Sequence, residues 1–320
     1  MFHKRIIQLI AVLIPVLVLT MGPLVVLTLS LSTTLFRPVL LVYVAWYALF
    51  DRDPWKGGGN RVNDVLKNRL YLPEHIRDYF PQELHKEADL DPENGPYLMG
   101  LHPHGIICYS HFVNVLTDVT GFKSLFPSID RRIATLNIIF LFPFIRELAL
   151  IHGLISVEKN SIKYWLSRGR NKAVGVVIGG AAESLECFEG TNRIVLKKRK
   201  GFFKVALETG AALVPIYSFG ETSLWNQMSH PMLYKLQKAL LRLCGFTIPL
   251  AYGRWYTLIP RQQRVVTVVG KPIPVTKTEN PTSTQIDELQ AKYIQALQSL
   301  YDKYKDEYDK DRKEELKIVG

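Results

Sequence analysis

The first fifty residues constrain the structure of this chain most, because they are almost free of charge. Residues 6–36 include no Asp, Glu, Lys or Arg, and Arg37 is the only such residue between positions 6 and 50. A membrane-spanning helix needs about 20 apolar residues, so the run is too long for one pass. A secretory signal peptide is the rival interpretation, but the run is too long for that as well and has no clear cleavage pattern.

We therefore expect residues 1–50 to form a transmembrane helical hairpin. One version bends at Gly22-Pro23, with arms near Ile6–Met21 and Leu24–Phe50; the other bends near Arg37-Pro38. Basic residues lie just outside both ends of the run, namely Lys4, Arg5, Arg52, Lys56 and Arg61. This placement fits two cytosolic ends.

The charge of the chain limits the classes of partner it can bind, and its cysteine content bears on disulfide bonding. The net charge of +11, from 40 basic and 29 acidic residues, suits a nucleic acid, an anionic membrane surface or a phosphorylated substrate. The sequence contains no zinc-finger spacing, RNA-recognition signature or basic zipper, so we expect no nucleic-acid partner. Three widely spaced cysteines argue against a disulfide framework.

After the anchor, residues 51–96 are expected to be a helical lead-in and residues 97–320 the main domain. Short apolar runs there alternate with helical patterns, which predicts an α/β fold: a layered sheet with flanking helices. The predicted strands are Tyr97–Leu101, Leu154–Val157, Ala173–Ile178, Ala212–Tyr217 and Arg264–Val269. The predicted helices include Ser110–Val119, Ser161–Arg168, Phe202–Thr209 and Gln285–Lys305.

The first candidate site is His102-Pro103-His104-Gly105, directly after the predicted strand Tyr97–Leu101. Proline favours a turn here, and α/β proteins place their chemistry at the carboxyl ends of strands. Imidazole is also suited to moving protons near neutral pH. The alternative, that both histidines are ordinary turn residues, stays open at this point.

Two later motifs follow other predicted strands. Gly179-Gly180 allows close backbone approach to a ligand, and Glu183 behind it is a candidate partner for an imidazole. Lys197-Lys198-Arg199-Lys200-Gly201 opens a predicted helix and suits phosphate oxygens, although a solvated loop or a membrane contact fits equally. Pro215 lies inside a predicted strand and indicates a sheet edge or a bulge.

Other chemistries are less well supported. Cys108 has no adjacent charge to stabilise a thiolate, and Ser184 lacks the nucleophile elbow of hydrolases. The pair His102 and His104 has no nearby acidic or cysteine ligands, so we predict no metal site.

Taken in order, several blocks resemble the type 2 diacylglycerol acyltransferase family, which also includes monoacylglycerol and wax-alcohol acyltransferases. The resemblance spans roughly residues 51–305, and the sequence as a whole looks most like the fungal members of the family. The matching blocks are Tyr79-Phe80-Pro81, His102-Pro103-His104-Gly105, Pro143 with Arg146-Glu147, Gly179 to Ser184, Arg199 to Phe202, Val214 to Glu221 and Val269 to Ile273.

The resemblance implies a membrane enzyme of the endoplasmic reticulum or lipid droplet that moves an acyl group from acyl-CoA to a lipid hydroxyl. Plant members have glutamate at the position of His102, which favours His104 as general base. The wider glycerolipid acyltransferases have an aspartate five residues after their histidine; this chain has Tyr109 there, so Glu183 is the substitute partner.

Substrate binding is then assigned to the turn and to the two later motifs. Backbone N–H groups near Gly105 or Gly179-Gly180 are expected to hold the oxyanion. The substrate-binding residues are Pro103, Gly105, Gly179, Gly180, Lys198, Arg199, Lys200 and Gly201, with the cations meeting the CoA phosphates.

The expected reaction is acylation of diacylglycerol to triacylglycerol without a covalent intermediate. Monoacylglycerol or a long-chain alcohol is the alternative acceptor, and a non-catalytic lipid-droplet protein is the alternative of a different class. Acyl-CoA serves as co-substrate with no further cofactor, and the membrane or droplet surface is a partner. Whether the chain forms a homo-oligomer stays open.

Overall fold

The computed structural model describes residues 2–228, 230–247 and 249–320. Its helices are α1 (Phe2–Ser32), α2 (Phe36–Leu49), α3 (Asp64–Lys67), α4 (Pro73–Tyr79), α5 (Phe122–Leu125), α6 (Ile145–His152), α7 (Lys159–Leu166), α8 (Ala181–Ser184), α9 (Lys200–Thr209), α10 (Pro231–Cys244) and α11 (Ser283–Tyr308). Its strands are β1 (Gln82–Lys86), β2 (Tyr97–His102), β3 (Asp130–Thr135), β4 (Leu154–Ser156), β5 (Lys172–Val177), β6 (Arg193–Val195), β7 (Ala212–Phe219), β8 (Asn226–Gln227), β9 (Ala251–Tyr252), β10 (Val265–Val269) and β11 (Lys317–Val319).

A seven-stranded sheet in the order β1-β10-β7-β2-β5-β3-β4 forms the centre of the fold. Its pairs are parallel, except that β10 runs antiparallel to β7. The five predicted strands all lie in this sheet, and helices cover both of its faces, so the predicted α/β layered fold is confirmed.

The central strand β2 is buried on both faces. Leu98 packs into the core formed with α7, α9 and α11, whereas Met99 and Leu101 pack into the core on the opposite face. Alternating side chains of a strand point to opposite faces, and a parallel strand covered on both sides is apolar throughout. This burial fixes the position at which β2 ends, at His102.

Two strands of the sheet were not predicted, because polar residues hide them. β1 lies at the sheet edge inside the segment expected to be a helical lead-in, so that expectation is wrong for residues 82–86. β3 carries Arg131 and Arg132, which are both buried. Arg131 donates to the backbone carbonyls of Leu116 and Thr117, and the Arg132 guanidinium lies over the Trp165 ring. These contacts satisfy charges that a strand pattern would place in water.

Pro215 lies within the sheet, between β10 and β2, so the edge alternative is wrong. The bulge alternative fits. Ile216 pairs with Val269 and Leu213 bridges to Ile273, so three steps on β7 oppose four on the other strand. The extra residue is accommodated where proline has no N–H to offer the ladder.

Among the described residues, the N-terminal region contains one helix of membrane-spanning length, α1. It continues through Gly22-Pro23, so the first predicted bend is wrong; the helix break lies at residues 33–35, beside Arg37-Pro38. A proline removes only one hydrogen bond, and apolar membrane helices tolerate that loss. The following α2 has 14 residues, about 21 Å at 1.5 Å per residue, which is shorter than a bilayer core. A two-span hairpin is therefore not shown.

The first half of α1 packs onto the main domain. Ala11 and Val12 are fully buried in a cluster with Ile76 and Phe80. The hydroxyl of Tyr109 donates to the Val12 carbonyl. The second half of α1 leaves large apolar side chains exposed, which suits a lipid environment.

Candidate active site

The histidine turn, residues 102–105, begins at the last residue of β2. Because β2, β5 and β7 are parallel neighbours, the turn lies at the same sheet edge as Gly179-Gly180 after β5 and Glu221 after β7. The His102–Pro103 peptide bond is cis. The structure thus brings these three segments together at the carboxyl ends of neighbouring strands.

His104 is the histidine of the turn that reaches the surface, where it is partly exposed. Its Nδ1 lies 3.0 Å from the Gly105 carbonyl oxygen. A carbonyl only accepts, so Nδ1 carries the proton and Nε2 keeps its lone pair. Among the described residues no group hydrogen bonds to this Nε2. Burial lowers the pKa of His104, which keeps the ring neutral and able to accept a proton.

His102 occupies a different environment, fully inside the core. Its Nε2 lies 3.0 Å from the Tyr293 hydroxyl on α11. Burial lowers the pKa of His102 to about 3, so its ring is neutral at physiological pH. A Cβ on Gly100 would lie 1.9 Å from the Tyr293 hydroxyl, which explains the glycine there. The structure thus gives the two histidines of the motif different positions.

Glu183 contacts the backbone of the turn and not the imidazole. Its Oε1 accepts the His104 N–H at 2.6 Å, and its Oε2 accepts the Val195 N–H at 2.9 Å. Burial raises the pKa of Glu183 to about 7. A Cβ on Gly179 would lie 1.9 Å from Glu183 Oε2, so this carboxylate requires a glycine before it. Glu183 therefore holds the main chain from which the His104 ring projects.

Two further residues fix the turn, and the sequence interpretation missed their roles. Glu221 is buried and accepts the N–H groups of Tyr109 and Ser110 at 3.1 and 2.9 Å. Its Oε1 would lie 2.6 Å from a Cβ on Gly105, whose φ is +61°. His111, also buried, donates from Nε2 to the Pro103 carbonyl at 2.8 Å. Glu221 lies within the family-like block Val214 to Glu221, whereas no sequence pattern singles out His111.

The basic segment, residues 197–200, is exposed at the start of α9. Arg199 donates to the Gly179 carbonyl at 3.0 Å, which places the segment beside the turn of Gly179-Gly180. Lys200 pairs with Asp287 at 2.5 Å. Within the described residues, Lys197 and Lys198 form no ion pair. A Cβ on Gly201 would meet open space.

The two residues considered as nucleophiles, Cys108 and Ser184, both donate hydrogen bonds to backbone carbonyls. Cys108 donates to the His104 carbonyl at 3.1 Å, and burial raises the pKa of its thiol well above the usual value. Ser184 is buried and donates to the Ala181 carbonyl at 2.9 Å. Neither residue carries the features of an activated nucleophile.

Comparison with known proteins places this chain in a family. A family model described as diacylglycerol acyltransferase matches residues 29–319. Diacylglycerol O-acyltransferase 2B of Umbelopsis ramanniana is 41% identical over 299 residues, covering 89% of this chain and 84% of that protein. Diacylglycerol O-acyltransferase 2 of Danio rerio is 42% identical over 284 residues, covering 84% and 76%.

Acyl-CoA wax alcohol acyltransferase 1 of Homo sapiens is also similar, with 39% identity over 279 residues, covering 85% of this chain and 84% of that protein. No solved structure matches the chain. The family model and these relatives each extend over most of the sequence, and the chain belongs to the diacylglycerol acyltransferase family.

Proposed function

We propose that this chain is a membrane-bound, acyl-CoA-dependent O-acyltransferase that converts diacylglycerol to triacylglycerol. The observation that carries the proposal is the lone pair on His104 Nε2, which is free within the described residues. His104 is partly exposed, and the main chain of its turn is held by hydrogen bonds with Glu183 and His111. Family membership and the printed names of the diacylglycerol acyltransferase relatives support this choice of reaction.

In the proposed mechanism His104 acts as general base. Its Nε2 removes the proton from the free hydroxyl of diacylglycerol as that oxygen attacks the thioester carbonyl of acyl-CoA. The new ester bond forms, the carbon–sulfur bond breaks, and the imidazolium returns its proton to the leaving CoA thiolate. A neutral His104 before the reaction, which burial favours, is the form that this step needs.

The oxyanion of the intermediate needs N–H donors. The Gly180 N–H already donates to the Val177 carbonyl, which leaves it unsuited to this role. The Gly105 N–H has no acceptor among the described residues and lies next to His104. We therefore favour Gly105, which adjoins His104, over Gly180 as the source of the oxyanion donor.

The basic segment is proposed to bind the CoA phosphates. Lys198 is exposed and unpaired among the described residues, and Arg199 lies beside Gly179 at the edge that holds the histidine turn. Lys200 already pairs with Asp287, so we expect it to contribute less to phosphate binding than Lys198 and Arg199. Cationic groups at this edge would place the thioester of acyl-CoA near His104.

We place the enzyme in the endoplasmic-reticulum membrane, with both chain ends cytosolic, and on lipid droplets. The exposed apolar half of α1 supports insertion into a bilayer. An acceptor dissolved in the same bilayer then reaches the active site without crossing water.

The similarity to a wax alcohol acyltransferase supports a second candidate acceptor, a long-chain alcohol. Microsomes from cells without their own neutral-lipid synthesis would test both, with labelled oleoyl-CoA offered alongside diacylglycerol, monoacylglycerol or hexadecanol. We expect labelled triacylglycerol when this chain is expressed and none with the empty vector. Wax ester as the main product would show that a long-chain alcohol, and not diacylglycerol, is the main acceptor. If the protein is folded and forms no ester with any of the three acceptors, the proposed function is overturned.

A further inference from the structure

α10 carries a continuous apolar stripe on its exposed side. Met232, Leu236, Leu240 and Leu243 are all exposed, Met232 by 74% and Leu243 by 83%. With about 100° between successive residues, these four fall within roughly 80° of the helix circumference. A stripe of this size facing water is unusual on a soluble surface and marks a contact with something apolar.

The opposite side of α10 contacts the protein. Gln237 is buried, and its Oε1 accepts from the Gln227 amide at 2.9 Å. Tyr234 donates to Glu186 at 2.9 Å, just after α8. The apolar stripe therefore faces away from the protein body.

The charged residues of α10 are all basic. Lys235, Lys238 and Arg242 are exposed, and the helix contains no Asp or Glu. The same helical geometry puts Lys235 and Arg242 on one flank of the apolar stripe, whereas Lys238 lies almost opposite it, over the Tyr234 ring at 4.3 Å. An amphipathic helix with an apolar face and a basic flank is typical of segments that lie in the interface of a bilayer with anionic lipids.

A second exposed patch lies beside this helix. Trp255 and Tyr256 are 72% and 84% exposed, and Leu258 is exposed as well. β9, just before this patch, pairs with β8, which leads into α10. Aromatic side chains of this kind concentrate at membrane–water interfaces. The β8–β9 pair thus links the segment of this patch to the segment that leads into α10.

Buried contacts join the second patch to the membrane helix α1. The Trp225 indole N–H donates to the Leu258 carbonyl at 3.3 Å, and the Trp225 ring stacks on Tyr109 at 5.5 Å. Tyr109 in turn donates to the Val12 carbonyl of α1. The segment that bears Trp255 is therefore attached to the same buried cluster as α1.

We propose that α10 and residues 251–259 form an interfacial membrane-binding surface, which rests in the headgroup region of the bilayer that α1 enters. The apolar stripe and Trp255 insert among the lipids, and the basic flank meets anionic headgroups. α10 packs against α8, which carries Glu183, so this contact also sets the height of the active site above the lipid. The proposal does not depend on the reaction catalysed.

Lipid photo-crosslinking of the full chain in vesicles would test this surface. The photoreactive residue p-benzoylphenylalanine would replace Leu243 or Trp255, with Leu27 of α1 as positive control and the exposed Lys310 as negative control. We expect phospholipid adducts at positions 243 and 255 and none at 310. Adducts at 27 with none at 243 and 255 would overturn the proposal, as would crosslinks to protein in place of lipid at those two positions.

The basic flank would be tested in the same format with phosphatidylcholine vesicles, with and without one fifth phosphatidylserine. We expect phosphatidylserine to raise the adduct yield at position 243 by at least about twofold. The double variant Lys235→Gln, Arg242→Gln should abolish that increase and leave the yield in pure phosphatidylcholine unchanged. Equal yields from both vesicle types in the parent chain would overturn the assigned role of the cations.

Discussion

The histidine turn and the basic segment lie at the same edge of the sheet but are built in opposite ways. The turn and the segment after it are fixed by buried groups, namely Glu183 and Glu221 from distant parts of the chain and the nearby His111. The basic segment is exposed, and its cations have few fixed partners. Proton transfer needs atoms placed to within a fraction of an ångström, whereas attraction between charges acts over longer distances. The difference matches a chemical role for the turn and a binding role for the segment.

Among the changes that alter how the turn and the segment are held, Glu221→Ala should have the largest effect. The substitution leaves the N–H groups of Tyr109 and Ser110 buried without an acceptor, at about 1–3 kcal/mol each. A displacement of the turn by about 1 Å would lower kcat about 10²-fold. Thermal unfolding and acyl-transfer assays check both, with the exposed Glu279→Ala as control. Wild-type stability and activity in Glu221→Ala would show that the turn does not depend on this carboxylate.

The second prediction concerns pH and stability. Burial raises the pKa of both Glu183 and Glu221 to about 7, from 4.5. Between these values the folded protein binds more protons than the unfolded chain, so the free energy of unfolding falls as pH rises from about 4.5 to 7 and levels off above it. The melting temperature in detergent should follow this course, and the double variant Glu183→Gln, Glu221→Gln should flatten it. A melting temperature that rises across the same range contradicts the pKa direction.

The smallest effect is expected from the basic segment. Lys198→Gln combined with Arg199→Gln removes two exposed charges, each worth up to about 1 kcal/mol. The KM for acyl-CoA should rise about fivefold and become less sensitive to salt, with kcat within about twofold. Lys310→Gln, an exposed cation elsewhere, serves as control. A fall in kcat with unchanged KM would give the segment a role in the chemistry and remove the contrast with the turn.

Local sequence patterns predicted much of the fold, because strands such as β2 and β7 are buried and consist mainly of apolar residues. They failed at β3, where Arg131 and Arg132 are buried by contacts with carbonyls and an aromatic ring. Proline at position 23 suggested a bend, but one lost hydrogen bond does not end a long apolar helix. In each case a tertiary or membrane environment decides what the local pattern leaves open.

The candidate site was predicted to a similar extent. The His102-Pro103-His104-Gly105 turn and Glu183 were found by motif, and the structure brings them together. The sequence could not show that Glu183 bonds a backbone N–H instead of a ring, or that His102 is paired with Tyr293, 191 positions away. Those contacts depend on side-chain directions in the assembled core, which spacing along the chain does not encode.

The central claim is that His104 is the base of the acyl transfer, and the most direct measurement compares His104→Ala with wild type in the same vesicles. His85→Ala, on the partly exposed strand β1, serves as the matched control. With equal melting temperatures, we predict a fall in kcat of about 10²–10⁴-fold for His104→Ala and no change for His85→Ala. A His104→Ala enzyme that retains activity within a few-fold of wild type would contradict the account.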